Sequence, residues 1–246
     1  MTGPKILTLD IETRPAQVYV WDIFKPFVSI DQVIEPGGLL SFAAKWHGEK
    51  KVHFYSDWEH GHEAMVRAAW ELLNEADIVV TYNGDNFDIL HLNREFSLLE
   101  LGPHAPFRSV DLYKVVKKQE RHLSHKLAWV TQVKMLSGKV DPGGFKTWLG
   151  VLADDPKAQA QMKRYNIQDV RTTEELFDNM LPFIKMPHVA LYGEEMDGGL
   201  TCPLGHTRFQ KRGYRLTNTR RYQRYQCQDC GRFFSDNRSS GSVSTS

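Results

Sequence analysis

Residues 7–15, LTLDIETRP, set two carboxylates, Asp10 and Glu12, inside a run that otherwise reads as a buried strand. On a strand, residues i and i+2 share a face, so the two acids point the same way. Burying an unpaired carboxylate costs several kcal/mol, and this stretch offers no cation between them. Positive charge must reach that face from elsewhere in the fold. Hard oxygen donors suit Mg²⁺ or Mn²⁺. The ordinary alternative is an edge strand with both acids in water.

The flanking pattern predicts a mixed α/β fold. KILTLDIE reads as a first strand, and LLSFAAKWHG and KKVHFYSD as a hairpin turning near His47–Lys50. DWEHGHEAMVRAAWELLNEA carries apolar residues at helical spacing behind Asp57 as N-cap. DIVVTYNG is a short strand ending in a glycine turn, and NFDILHLNREFSLLEL returns to helical spacing. FRSVDLYKV reads as a further strand, HLSHKLAWVTQVKML as a helix, and 155–163 and 165–181 as two more helices. Three strands followed by alternating helices and strands make a mixed sheet with helices on its faces.

Two further phrases carry polar residues of chemical interest. In TYNGDNFD, Asn83 and Gly84 turn the chain, Asn86 can cap the next helix and Phe87 can anchor its first turn. Asp88 then sits near a helix N-terminus, where an anion is favoured. In RYNIQDVRTTEEL, Tyr165 and Asp169 are four apart, hence neighbours on one helix face. Read singly, each phrase has a plain explanation: capping for the first, a packed tyrosine beside a solvated acid for the second.

In order and spacing these phrases resemble the DEDD superfamily of 3′–5′ exonucleases, which share an RNase H-like fold. DIET matches its first motif, and YNGDNFD is close to the second as found in exonuclease domains of family B DNA polymerases. The third motif carries either His five residues or Tyr four residues before its Asp; the first position is Arg164, whereas Tyr165 fits the second. The stretch containing Ser124, Lys126 and Leu127 is similar to the Ser-x-Lys-Leu helix of those polymerase domains. The resemblance spans about residues 5–185. It implies that Asp10, Glu12, Asp88 and Asp169 hold two Mg²⁺ or Mn²⁺ ions about 3.5–4 Å apart. It further implies that Tyr165 orients the attacking water, that Ile11, Thr13, Asn83 and Phe87 contact the terminal nucleotide, and that Asp111 supports the acids while Asp85 does not take part. The chain lacks the length of polymerase palm or thumb, so the resemblance implies a stand-alone exonuclease.

Composition separates the rest of the chain. From Thr201 onward nine Lys/Arg face two Asp, a balance of +7, which leaves 22 basic against 28 acidic residues before it. All three cysteines lie in that basic tail. A cysteine-free body with clustered cysteines at its end points to metal rather than a disulfide framework. Cys202-x3-His206 and, twenty residues later, Cys227-x2-Cys230 supply three thiolates and an imidazole, a tetrahedral Zn²⁺ donor set. Zinc ribbons more often have a second cysteine where Gly205 stands, which makes His206 the weakest of the four ligands. The phrase RRYQRYQCQDCGRFFS resembles the zinc ribbon of some transposition proteins. Arg212, Arg215, Arg220, Arg221 and Arg224 interleave with tyrosines, a pattern for phosphate contact and base stacking. A solvated basic surface or a protein-docking knob is the alternative.

The expected organisation is an RNase H-like exonuclease domain at 1–185, a linker at 186–200, a zinc ribbon at 201–238 and a disordered tail at 239–246. DNA is the expected substrate, with a replication or repair protein as a further partner; an exoribonuclease is the alternative, because the same acids cleave RNA. From another class comes a nuclease-fold nucleic-acid-binding protein without catalysis. No apolar run approaches the ~20 residues of a membrane span, and no signal peptide is expected, so a cytoplasmic location is the default. No glycine-rich phosphate loop and no Ser/His/Asp phrase supports other chemistry.

Overall fold

The computed structural model describes residues 3–24, 27–137, 141–188, 191 and 200–244. Its contacts divide the chain into two compact units, Lys5–Phe177 and Asp178–Ser246 with the first four residues. Most of the expected linker, 186–200, lies outside the described residues.

In the larger unit the elements run β1 (Ile6–Arg14), β2 (Gln17–Val18), β3 (Val33–Glu35), β4 (Gly38–Trp46), β5 (His53–Ser56), α1 (Asp57–His60), α2 (His62–Glu75), β6 (Ile78–Thr81), α3 (Asp88–Leu98), β7 (Arg108–Asp111), α4 (Leu112–Gln119), α5 (Leu127–Val133), α6 (Phe145–Leu152) and α7 (Pro156–Met180). Five strands form one sheet in the order β5-β4-β1-β6-β7. The pairs β5–β4 and β4–β1 are antiparallel, whereas β1–β6 and β6–β7 are parallel. This is the expected mixed sheet flanked by helices.

Alternation along β1 sorts its side chains. Leu7, Leu9 and Ile11 enter a core with Phe42, Met65, Val66, Leu73, Val79, Leu92 and Phe96, drawn from β4, α2, β6 and α3. Full burial of each such side chain contributes about 1.5–3 kcal/mol. Thr8, Asp10 and Glu12 take the other face. The β1–β4 register slips between Glu12 and Thr13, leaving Leu40 as the extra residue. That bulge turns Leu40 away from Leu39 and Phe42 into a second cluster with Val151, Ala158, Met162, Trp58 and Trp148. Helices α6 and α7 are thereby anchored beside the end of β1 that carries the acids.

Several boundaries differ from the sequence expectation. The segment 107–115 is strand only to Asp111, whose side chain accepts from Tyr113 N (3.0 Å) and starts α4. The two helices expected at 155–163 and 165–181 are one 25-residue helix, because nothing in Arg164–Tyr165 breaks it. Ser56, not Asp57, is the N-cap, accepting from Glu59 N, and Gly61 at φ +80° splits the segment into α1 and α2. Phe87 rather than Asn86 occupies the cap of α3; Asn86 donates to Asn83 Oδ1 instead. The helix expected over 122–136 is confined to Leu127–Val133, ended by Met135 at positive φ. Helix α6 and the β2–β3 ribbon were not foreseen. Around that ribbon Trp21, Phe24, Phe27 and Ile30 are exposed, and Arg14 bridges Glu35 (2.9 Å) and Asp57 (2.8 Å) at its base.

In the smaller unit β8 (Phe209–Leu216), β9 (Arg220–Cys227) and β10 (Phe233–Ser242) form an antiparallel sheet in the order β10-β9-β8. The disorder expected from Ser239 onward is not observed through Ser242. Ser239, Gly241 and Ser242 pair with Tyr222, Arg221 and Arg220, because the long β9 offers a free edge there.

Candidate active site and metal centre

Strand β1 outruns its parallel neighbour. Pairing with β6 ends at Thr8–Val80, so the β1 edge beyond it is open on that side. Asp88, the first residue of α3, fills this position: its Oδ1 accepts the Ile11 N–H at 3.0 Å. The loop between β6 and α3 is tightly specified. Asn83 adopts φ +67°, and a Cβ on Gly84 would lie 2.4 Å from the Thr81 side chain. Asp111, at the end of β7, accepts from Asn83 N at 2.9 Å and fixes the loop from below. The cluster therefore gathers at the carboxyl ends of the parallel strands, where ligands bind in open α/β sheets.

Helix α7 closes the other side. Asn166, fully buried, donates to Asp10 Oδ2 (2.7 Å) and to the Asp10 carbonyl (3.2 Å), and its Oδ1 accepts from Ser41 Oγ (3.2 Å). Tyr165, the residue before it, and Asp169, three residues after it, face the same acids. The Tyr165 phenol hydrogen-bonds the Asp169 carboxylate, and its ring meets Trp148 of α6 edge-on, centroids 6.4 Å apart. Asp88 and Asp169 are only 3% and 5% exposed.

Electrostatics define the site. Burial, then the charges of Asp88, Glu12 and Asp169, hold Asp10 well above the usual carboxylate range, against a lowering hydrogen bond from Asn166. Burial pushes Asp88 up to about 7, with Asp111 adding to the rise and the Ile11 N–H opposing it. Tyr165 is also raised, by burial and then by Asp169, Glu12 and Asp10, so its phenol stays protonated at neutral pH. Four carboxylates thus converge, and burial with neighbouring carboxylates raises Asp10 and Asp88. An all-oxygen, mutually repelling donor set is chemically matched to hard divalent cations.

The remaining predicted residues divide. Ile11 is buried and contributes its backbone N–H to Asp88. Thr13 follows the bulge. Phe87 is 39% exposed and packs edge-on against His91 rather than anchoring the helix in the core. Asp85 accepts from Lys114 (2.7 Å) and from Ser109, bonds that outweigh its burial and lower its pKa. Sequence reading missed Asn166 and Trp148. A buried Asn next to Tyr165 inside a helix, where Asn is disfavoured, was the available signal.

In the smaller unit the Cys202, His206, Cys227 and Cys230 ligand atoms all lie within 4.8 Å of one another. His206 Nδ1 stands 3.4 Å from Cys202 Sγ and 3.5 Å from Cys227 Sγ, so the weakest ligand of the spacing argument is inside the cluster. Two knuckles bring them there: Gly205 N donates to Cys202 O (2.8 Å) and Gly231 N to Cys227 O (3.1 Å), both glycines at positive φ. A tetrahedron of ~2.3 Å Zn–S bonds has edges near 3.8 Å, which these separations accommodate. Burial raises Cys202 to about 11, whereas the backbone N–H groups of Cys230 and Asp229 overcome burial to lower Cys227. On the sheet beside them Arg215 lies over Tyr222 (4.5 Å), Arg221 over Tyr214 (4.4 Å) and Arg224 over Phe233 (5.7 Å). Arg212 bonds the Gln226 side chain, and Arg220 caps the β8–β9 turn through Thr217.

A family model of the RNase_H superfamily matches residues 38–181. That span contains Asp88, Tyr165 and Asp169; Asp10 and Glu12 join it through the β1–β4 and β1–β6 pairing. No curated protein matches the chain in sequence. Among solved structures it is similar to the family B DNA polymerase from the hyperthermophilic archaeon Pyrobaculum calidifontis, with a TM-score of 0.55 and 20% identity over 74% of this chain. The chain spans a quarter of that polymerase, 25% of its length, and the likeness is one of fold. No helix among the described residues is long and apolar enough to cross a membrane. On the family match over most of its length, the chain belongs to the RNase_H superfamily.

Proposed function

We propose that this protein is a metal-dependent 3′–5′ exonuclease acting on DNA, located in the cytoplasm, whose smaller unit is a zinc-stapled nucleic-acid grip. The observation that carries the reading is the convergence of Asp10, Glu12, Asp88 and Asp169 with Tyr165 at one end of the sheet. The four acids would hold two divalent cations, and Cys202, His206, Cys227 and Cys230 one Zn²⁺. Bound at the acids, Mg²⁺ or Mn²⁺ would supply charge stabilisation at the scissile phosphate and a more acidic attacking water.

The chain's own groups do the positioning. Asn166 holds Asp10 through two hydrogen bonds, and Ile11 N holds Asp88, so both carboxylates keep fixed directions. Tyr165, bonded to Asp169 and kept protonated, orients water rather than removing its proton. Asn83, Thr13 and Phe87 border the acids and would receive the terminal nucleotide, with the exposed Phe87 ring offering a face to its base. In the smaller unit Arg212, Arg215, Arg220, Arg221 and Arg224 would contact phosphates.

Tyr165→Phe should lower the rate by about 10²-fold, the usual worth of a positioned proton-transfer or water-orienting group, and leave residual turnover. A loss equal to that of Asp169→Ala in the same assay would make the phenol an essential base and overturn the orienting role. Direction and substrate are tested by end-labelled single-stranded DNA, duplex DNA and RNA. Release of mononucleotide first from 3′-labelled DNA supports the reading. Preferential loss of RNA would turn it to the exoribonuclease, and internal cuts would remove the exonuclease assignment.

A further inference from the structure

Within the smaller unit a groove of about 740 Å³ runs between residues 182–186 and the start of β10. Phe183, Lys185, Arg215, Arg232 and Phe233 line it, with Asp236 the one acid among the described lining residues. The volume is in the range of sites that enclose a nucleotide-sized ligand. Arg232 is 4% exposed and donates from Nη2 to the Leu181 carbonyl at 2.6 Å, while its buried Nε has no hydrogen-bond partner. A buried guanidinium with an unanswered donor is costly unless an acceptor is supplied. Phe183 and Phe233 are 49% and 53% exposed, large rings left at the groove rather than packed away.

The groove is continuous with one face of the sheet. Arg215 is paired with Tyr222 across β8–β9 and stacks on its ring, and Arg224, two residues further along β9, covers the Phe233 ring. Cations and flat rings therefore alternate from the sheet into the groove. Phosphates match the first and unstacked bases the second. A duplex keeps its bases stacked and offers the rings nothing, so the pattern selects a single strand.

We infer that this groove is a binding site for one strand of nucleic acid, phosphates on Arg215, Arg232 and Lys185 and bases on Phe183 and Phe233. This rests on the nucleic-acid reading of the smaller unit and adds the place and strandedness of the contact.

The test uses the full chain carrying Asp169→Asn to prevent cleavage, and a fluorescein-labelled oligothymidylate of about 15 nucleotides, the span of a single-strand site. Anisotropy gives affinity across a salt series. Phe233→Ala should weaken binding about tenfold, the worth of one stacked base. Arg215→Gln should flatten the log–log salt slope by about 0.7, one phosphate contact on a single strand. Lys185→Gln, which lies outside the strands, should do the same, and Arg67→Glu on α2 should change neither. Zinc content measured alongside identifies any variant that has lost the fold, and Lys185→Gln then carries the test. Unchanged affinity and slope in Phe233→Ala and Lys185→Gln overturn the groove while leaving nucleic-acid binding by the chain intact. Tighter binding of duplex than of single strand overturns the strandedness. No binding by the parent overturns the inference together with the reading beneath it, and leaves cleavage by the larger unit to be judged by the hydrolysis assays.

Discussion

Asp10→Ala and Asp88→Ala are each expected to lower phosphodiester hydrolysis by at least about 10³-fold, while raising the stability of the metal-free protein. The rate loss follows from the several kcal/mol of charge stabilisation that a bound divalent cation supplies, each 1.36 kcal/mol being tenfold. The stability gain follows from the same geometry read without the cation. Burial and neighbouring acids raise Asp10 and Asp88 above ordinary carboxylate values, Asp88 to about 7. A carboxylate with a raised folded pKa contributes its stability below about pH 4, its unfolded value, and loses it as pH rises through the folded value. The metal-free protein should therefore have a thermal midpoint that falls from about pH 4 to above 7. Mg²⁺ or Mn²⁺ should reverse that fall, and Asp88→Ala should flatten it. Differential scanning calorimetry in chelator across that range decides the matter. Wild-type turnover in either variant would remove these acids from the catalytic centre. A midpoint that rises with pH would show that they are not held in mutual repulsion.

Cys227→Ser is expected to abolish Zn²⁺ binding and unfold the smaller unit. Structural Zn²⁺ in finger-sized peptides is worth about 10–16 kcal/mol of apparent binding energy, which at this size is folding energy. Among the described residues the unit has few buried apolar side chains: Met180, Ile184 and Met186 ahead of the sheet, and Cys202, Tyr225 and Cys227 within its knuckles and strands, where Phe234 stacks on Tyr225 and Phe209 meets it edge-on. Strand β8 is exposed along nearly its whole length. Such a sheet has little to hold it once a ligand is lost. About one equivalent of zinc should disappear on metal analysis, and limited proteolysis should cut between Thr201 and Ser242. Turnover at saturating substrate should persist, because none of the proposed cation ligands of the larger unit lies beyond Asp169. An intact protein devoid of zinc would overturn the donor set, His206 first.

The larger unit was legible where one physical rule dominates. Period-two alternation around Asp10 and Glu12 located β1, and the i, i+4 spacing of Tyr165 and Asp169 placed both on one helix face. Boundaries escaped where two rules compete. Ser56 outcompeted Asp57 for the cap, since only its side chain reaches Glu59 N. Asp111 ended a strand and capped a helix at once, which a hydrophobic pattern does not signal. The Asn166 bridge to Asp10 and Ser41 spans 125 residues and more, and the bulge at Leu40 depends on pairing with β1 and packing against α6 and α7; local sequence carries no trace of them beyond a polar residue where apolar ones belong. In the smaller unit the ligand spacing was readable, whereas the pairing of Gly241 and Ser242 with β9 was hidden by a serine-rich composition.

On the proposed function, Asp10, Glu12, Asp88 and Asp169 gather divalent cations for strand cleavage. Hydrolysis of a 3′-labelled single strand by the full-length protein, in EDTA and then with Mg²⁺ or Mn²⁺ restored, tests it most directly. The expected result is no cleavage in chelator, stepwise cleavage on adding either cation, and none at any cation concentration with Asp169→Asn. Cleavage that persists in EDTA, or an Asp169→Asn protein as active as wild type, would contradict it.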